Sequence, residues 1–224
     1  MGGLFNYDGP LMRGLNRIAD LLILNILYLM CCIPVITIGP ATVALYYVTL
    51  KMVRDEQDGV AREFWKSFWL NFRQGIGLHL LYFVVALILI ADVWFALHSV
   101  QSHGIMNDVL LVVGCVSSVL LAASATYAYP MLAKFENTTK RLLKLSLFLA
   151  IRHLPITIVL LAITAVPIWL ISILGEKVIS FLFLYSLLGF ATVAHLHSRF
   201  LRKVFDRYIP DPEEDAASSQ EDVS

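Results

Sequence analysis

The sequence predicts an all-α fold: a polytopic membrane helix bundle of about six transmembrane helices, with amphipathic surface helices on the cytoplasmic side and a tandem repeat. Three observations predict it. Hydrophobic residues make up 58% of the 224-residue chain and charged residues 15%, with a mean hydropathy of +0.75. Soluble domains carry about 45–50% apolar and about 25% charged residues, so this chain cannot cover a water-facing surface. The apolar residues fall into long runs, and the basic residues gather between alternate runs.

Each span follows from its run, since crossing a bilayer takes about 20 apolar residues. Residues 20–38 form the first, interrupted by Asn25 and Pro34 and closed by Gly39 and Pro40, which break helices. Residues 41–53 form a short return leg. Lys51 and Arg54 extend it by snorkelling, or the bilayer thins around it. Residues 76–97, 109–131, 154–174 and 178–194 are the remaining spans, the last continuing as helix towards Tyr208. Residues 1–16 contain Asp8 and Pro10 and do not read as a secretory leader. Residues 209–224 are acidic, without aromatic or basic residues, and read as a disordered cytoplasmic tail. The chain therefore divides into a bundle domain, 1–208, and this tail.

Of the 17 basic residues, all but Lys177 fall before the first span, after the sixth, or in the loops following the second and fourth. The positive-inside rule then predicts a multi-pass protein of the bacterial cytoplasmic membrane with both termini in the cytoplasm. The even count requires the short second leg to be a span.

Residues 63–74 and 142–153 echo one another. A shift of 79 positions places Ser67 on Ser146, Trp69 on Phe148, Leu70 on Leu149 and Arg73 on Arg152. Phe64, Phe68 and Phe72 recur every four residues and so share a helical face. Both segments read as helices lying on the membrane before the chain turns in. The echo predicts two units of about 80 residues in the same orientation, a pattern that transporter halves use.

Three stretches, residues 24–28 (LNILY), 34–47 (PVITIGPATVALYY) and 64–74 (FWKSFWLNFRQ), together resemble the YesL family of bacterial integral membrane proteins, whose biochemical function is not established. The Pro-Val-x-Thr-x-Gly-Pro-Ala block is the specific part, and the resemblance extends over residues 4–208. It implies a role near carbohydrate uptake, and it offers no catalytic residues to carry over.

Candidate sites each have two readings. Pro34, Thr37, Gly39 and Pro40 form either a broken helix presenting carbonyls and Thr37 to a ligand or a tight turn in which Thr37 and Thr42 cap helix ends. Asn25 either meets a polar ligand or bonds a neighbouring helix. Asp92 is either a proton or cation site or a carboxylate near the outer interface beside Trp94. Asn25, Thr37 and Asp92 are thus the candidate ligand-binding residues. Gly114, Ser118, Ala122 and Thr126, every fourth residue, predict a helix-packing groove. His195 and His197 point about 200° apart on one helix and cannot share a metal, so no metal or cofactor is expected.

No nucleophile elbow or phosphate loop is present, and a net charge of zero gives no reason to expect nucleic acid as a partner. The sequence therefore predicts a non-enzymatic accessory or scaffolding component associated with carbohydrate uptake or utilisation. Its partners would be the lipid bilayer and a sugar-transporter permease or membrane sensor protein. The alternative is a small secondary transporter for a sugar or related solute.

Overall fold

A computed structural model describes residues 10–56, 58–98, 105–135 and 138–208; the acidic tail lies outside the described residues. These residues form eight helices and no strand: α1 (Pro10–Cys32), α2 (Ile38–Arg54), α3 (Val60–Leu70), α4 (Phe72–His98), α5 (Ile105–Lys134), α6 (Thr139–Arg152), α7 (Leu154–Ile173) and α8 (Val178–Tyr208). The fold is the all-α bundle expected from composition. Six helical stretches, all but α3 and α6, are long and apolar enough to cross a membrane. Their outward faces are largely apolar, with Ile90, Ile168 and Phe183 each more than 60% exposed. Lipid covers such a face where water would not.

The first break falls earlier than expected. Helix α1 ends at Cys32, before Pro34, because a residue preceding proline avoids the α region. A 3-10 turn, Val35–Thr37, follows. Gly39 and Pro40 do not break a helix: they lie in the first turn of α2, where proline's missing amide costs nothing. The second leg is therefore 17 residues long, and it is the most buried of the six. It runs antiparallel to α1. Tyr28 meets Thr42 at one end and Arg17 bonds Asp55, 2.8 Å, at the other.

Helices α3 and α6 are amphipathic, with one face exposed, Trp69 at 65% and Phe148 at 50%, and each folds back along the long helix before it with its other face buried. Glu63 pairs with Lys51 at the end of α2, 2.7 Å. Twelve residues on, Gly75 packs against Gly39 at the start of α2. Lys51 and Gly39 are themselves twelve helical residues apart, so the chain climbs about 18 Å back along α2. Phe64 and Phe68 share a face as expected, but that face is buried against α1 and α2. In the same way α6 returns along α5, placing Ser146 Oγ 3.0 Å from Ser124 Oγ. The echoed serines, Ser67 and Ser146, are both fully buried. Thus α2–α3–α4 and α5–α6–α7 share one architecture, and α8 packs on α1, α2 and α7.

The touching of Gly39 and Gly75 has a topological consequence. The topology expected from the basic residues would put the first turn at the outer face and the start of α4 at the inner face. Two segments in van der Waals contact cannot stand on opposite sides of a hydrocarbon layer about 30 Å thick. The turn and the start of α4 share one depth.

Candidate functional site

The three candidate ligand-binding residues are not brought together. Asn25 is fully buried in α1. Its Nδ2 donates to the Ser186 carbonyl at 2.6 Å, and its Oδ1 accepts from the Ala191 amide at 2.9 Å. Both ends of the amide are spent on the backbone of α8. Thr37 sits in the 3-10 turn, where its hydroxyl reaches the Cys31 carbonyl at 2.6 Å and the Pro34 carbonyl at 2.7 Å. The Thr37 hydroxyl is thus engaged by carbonyls of the α1 end and of its own turn, and it makes no side-chain capping bond at the start of α2. Asp92 is exposed towards the far end of α4. Two residues further on, Trp94 stacks on His98 with ring centroids 4.5 Å apart.

The packing stripe on α5 divides. Gly114 lies against α4, and a Cβ there would come within 2.9 Å of Val93 Cγ2. Ser118 bonds back to the Gly114 carbonyl and Thr126 to that of Ala123. Ala122, however, is exposed and lines an open apolar groove with Tyr82, Leu89 and Ala125. The buried side of α5 is the adjacent one, Ala123, Tyr127, Ala128 and Met131, because α2, α6 and α7 converge there.

Four polar ties that the sequence did not disclose join helices. His197 on α8 sits between α2 and α7. Its Nε2 faces the Leu160 carbonyl at 3.1 Å, an acceptor, so this nitrogen carries the proton and Nδ1 accepts from the Tyr46 hydroxyl at 2.9 Å. One turn along α2, Thr49 meets Ser198, 2.9 Å. Tyr82 donates to Ser124, Ser124 to Ser146, and Ser146 to the Leu143 carbonyl, at 2.7, 3.0 and 2.9 Å. Tyr127 donates to Thr157, which donates to the Ala150 carbonyl. Hydroxyls that would cost free energy in hydrocarbon are thereby satisfied between helices. His195, with its Nδ1 buried and without a hydrogen-bond partner, takes no part in the His197 tie, and no group of metal-ligating side chains occurs among the described residues.

The charged end of the bundle is the densest polar feature. Asp206 on α8 meets Arg54 of α2 at 2.5 Å, Arg202 at 3.4 Å and Lys134 of α5 at 3.9 Å. Arg202 also donates to the Val53 carbonyl at the end of α2, 3.0 Å, where a cation complements the helix dipole. Between α6 and α7, burial and the Arg207 and Arg152 guanidiniums hold His153 below the usual histidine range. The sequence signalled this cluster only as scattered loop cations.

A family model described as a protein of unknown function, DUF624, matches residues 21–93. That stretch covers most of α1, then α2, α3 and most of α4, the first unit with the helix preceding it. No curated protein and no solved structure matches the chain.

Proposed function

We propose that this protein is a membrane-embedded accessory or scaffolding component working beside carbohydrate uptake, without catalytic activity of its own. The observation that carries this reading is the use made of its interior polar groups. Asn25, Tyr46, Thr49, Tyr82, Ser124, Tyr127, Ser146, Thr157 and His197 are each bonded to another helix. A sugar site needs several convergent donors and acceptors, and here those groups hold helices together. The resemblance of the 34–41 block to the YesL family supports the carbohydrate setting. A sugar-transporter permease or a membrane sensor protein is the partner proposed.

Transport of a sugar or related solute is the second reading, and the two fold-back units favour it, since repeated halves build many transporters. His79 adds to it: Nδ1 meets Tyr129, 3.2 Å, while Nε2 is buried without a partner. Uptake of oligosaccharides into proteoliposomes decides between them. The accessory reading predicts no saturable uptake by the purified protein, and crosslinking in cells that recovers a permease or sensor. Saturable uptake that Asp92→Asn or His79→Phe abolishes would replace it with the transport reading.

A further inference from the structure

The exposed residues of the turn between α1 and α2 are Ile33, Pro34, Val35 and Ile36, all apolar, and Ile33 is 81% exposed. The Thr37 hydroxyl is bonded to the Cys31 and Pro34 carbonyls, and the Thr37 amide to that of Pro34. The turn between α7 and α8 is of the opposite kind and exposes Glu176 and Lys177. Polar groups in hydrocarbon have to be satisfied within the protein; the first turn is made that way, and the second is made for water.

Depth points the same way. The first turn is in contact with α4 at Gly75 and His79, because Gly39 packs there. From His79, α4 continues for nineteen residues to His98, a rise of about 28 Å. It stays paired with α5 throughout, Tyr82 with Ser124, Val93 with Gly114 and Ala96 with Asn107. That rise alone nearly matches a hydrocarbon layer about 30 Å thick. Helices α4, α5, α7 and α8 each carry a run free of Asp, Glu, Lys and Arg that is long enough to cross: residues 74–91, 109–133, 154–174 and 178–198. The two legs of the first hairpin share only residues 21–50, between Asp20 and Lys51, where two crossings take about 40 apolar residues. Nor does α1 climb along α8: Asn25 bonds at Ser186 and Ala191, and Tyr28, further along α1, meets Phe190 between those two positions.

We propose that α1–α2 is a re-entrant hairpin. It enters the bilayer from the side of the charged end, turns within the leaflet on that side and leaves by the same face, while α4, α5, α7 and α8 cross. Acyl chains of that leaflet cover Ile33, Val35 and Ile36. Lipid is the occupant because these side chains continue the exposed apolar stripe of α1, Ile23, Ile26 and Met30, which recurs at helical spacing. The hairpin therefore wedges one leaflet only. This inference goes beyond the accessory reading and holds whichever side of the membrane the charged end faces.

The test uses the full chain in proteoliposomes. A bimane fluorophore is placed at Ile36→Cys or Lys177→Cys in a chain freed of Cys31, Cys32 and Cys115. The quenchers are lipids carrying a nitroxide on the acyl chain, and aqueous iodide present on both sides. The nitroxide lipid is expected to quench position 36 while iodide does not, and iodide is expected to quench position 177. Iodide quenching at 36 equal to that at 177 would place the turn in water at one face or the other and overturn the proposal. A second arm leaves the cysteines in place. Ile36→Asp puts a charge into hydrocarbon and is expected to cut the yield of folded protein about tenfold, while Lys177→Asp leaves it unchanged. An undiminished yield and melting temperature for Ile36→Asp would also overturn the proposal, and this arm decides it if the cysteine-free chain does not fold.

Discussion

Gly39 and Gly75 show how much a single missing carbon can decide. A Cβ on Gly39 would stand 2.2 Å from the Gly75 carbonyl oxygen, and one on Gly75 would stand 2.8 Å from Pro40 Cα. The obstacle in each case is backbone, which cannot swing aside. Gly75→Ala is therefore expected to destabilise by about 2–3 kcal/mol, the upper part of the overpacking range. Gly14→Ala, with nothing within 4 Å of its Cβ, is expected to be neutral or mildly stabilising. Thermal unfolding in detergent measures both, and an unperturbed Gly75→Ala would mean that α2 and α4 do not cross so closely. Neither glycine announces this contact in the sequence. Gly39 reads as a helix breaker beside Pro40, and only the return of the chain along α2 reveals that its lack of a side chain serves α4. Asn25 was legible, because an amide amid leucines must find a partner; that the partner would be α8 backbone more than 160 residues away was not. Tyr46 and His197, 151 residues apart, are invisible to any local pattern.

At the scale of elements, α3 teaches the difference between knowing an apolar face and knowing what covers it. Four-residue spacing correctly put Phe64 and Phe68 on one side, but spacing does not distinguish lipid from protein. The aromatics that face outward are the neighbours Trp65 and Trp69, the latter 65% exposed. Span existence was readable from hydropathy, and span ends less so: α2 begins three residues sooner than expected because Pro40 fits a first turn. The fold-back of α3 predicts that Ile36 in the first turn and Ile76 at the start of α4 sit at one depth in the bilayer. Nitroxides at these positions, in a chain freed of Cys31, Cys32 and Cys115, should give matching oxygen and nickel accessibilities by electron paramagnetic resonance. A surface-lying α3 would instead separate them by about 30 Å.

For the molecule as a whole, the same physics acts twice. In each unit a short helix folds back along the helix before it, and the next starts from the level so reached, beside the first turn of α2 in one unit and beside Tyr127 of α5 in the other. Hydroxyl ties at Tyr82–Ser124 and Tyr46–His197 then lock the units and α8 together. The repeat was legible from Ser67 and Ser146, since both remain buried where two helices converge. The cation cluster at Asp206 was not, because Arg54, Lys134 and Arg202 lie in three separate stretches of sequence. Their convergence gives the bundle one charged end, while the turn between α7 and α8 carries only Lys177 as a basic residue. Under the positive-inside rule that asymmetry would place the charged end in the cytoplasm, whether α1 and α2 cross fully or dip in and return, since either path restores the chain to its starting side.

The account rests on that charged end facing the cytoplasm, and membrane-impermeant maleimide labelling of intact cells tests it most directly. In a cysteine-free background, Lys177→Cys should label from outside, and Lys203→Cys only after permeabilisation. Labelling of position 203 in intact cells, with position 177 protected, would contradict it.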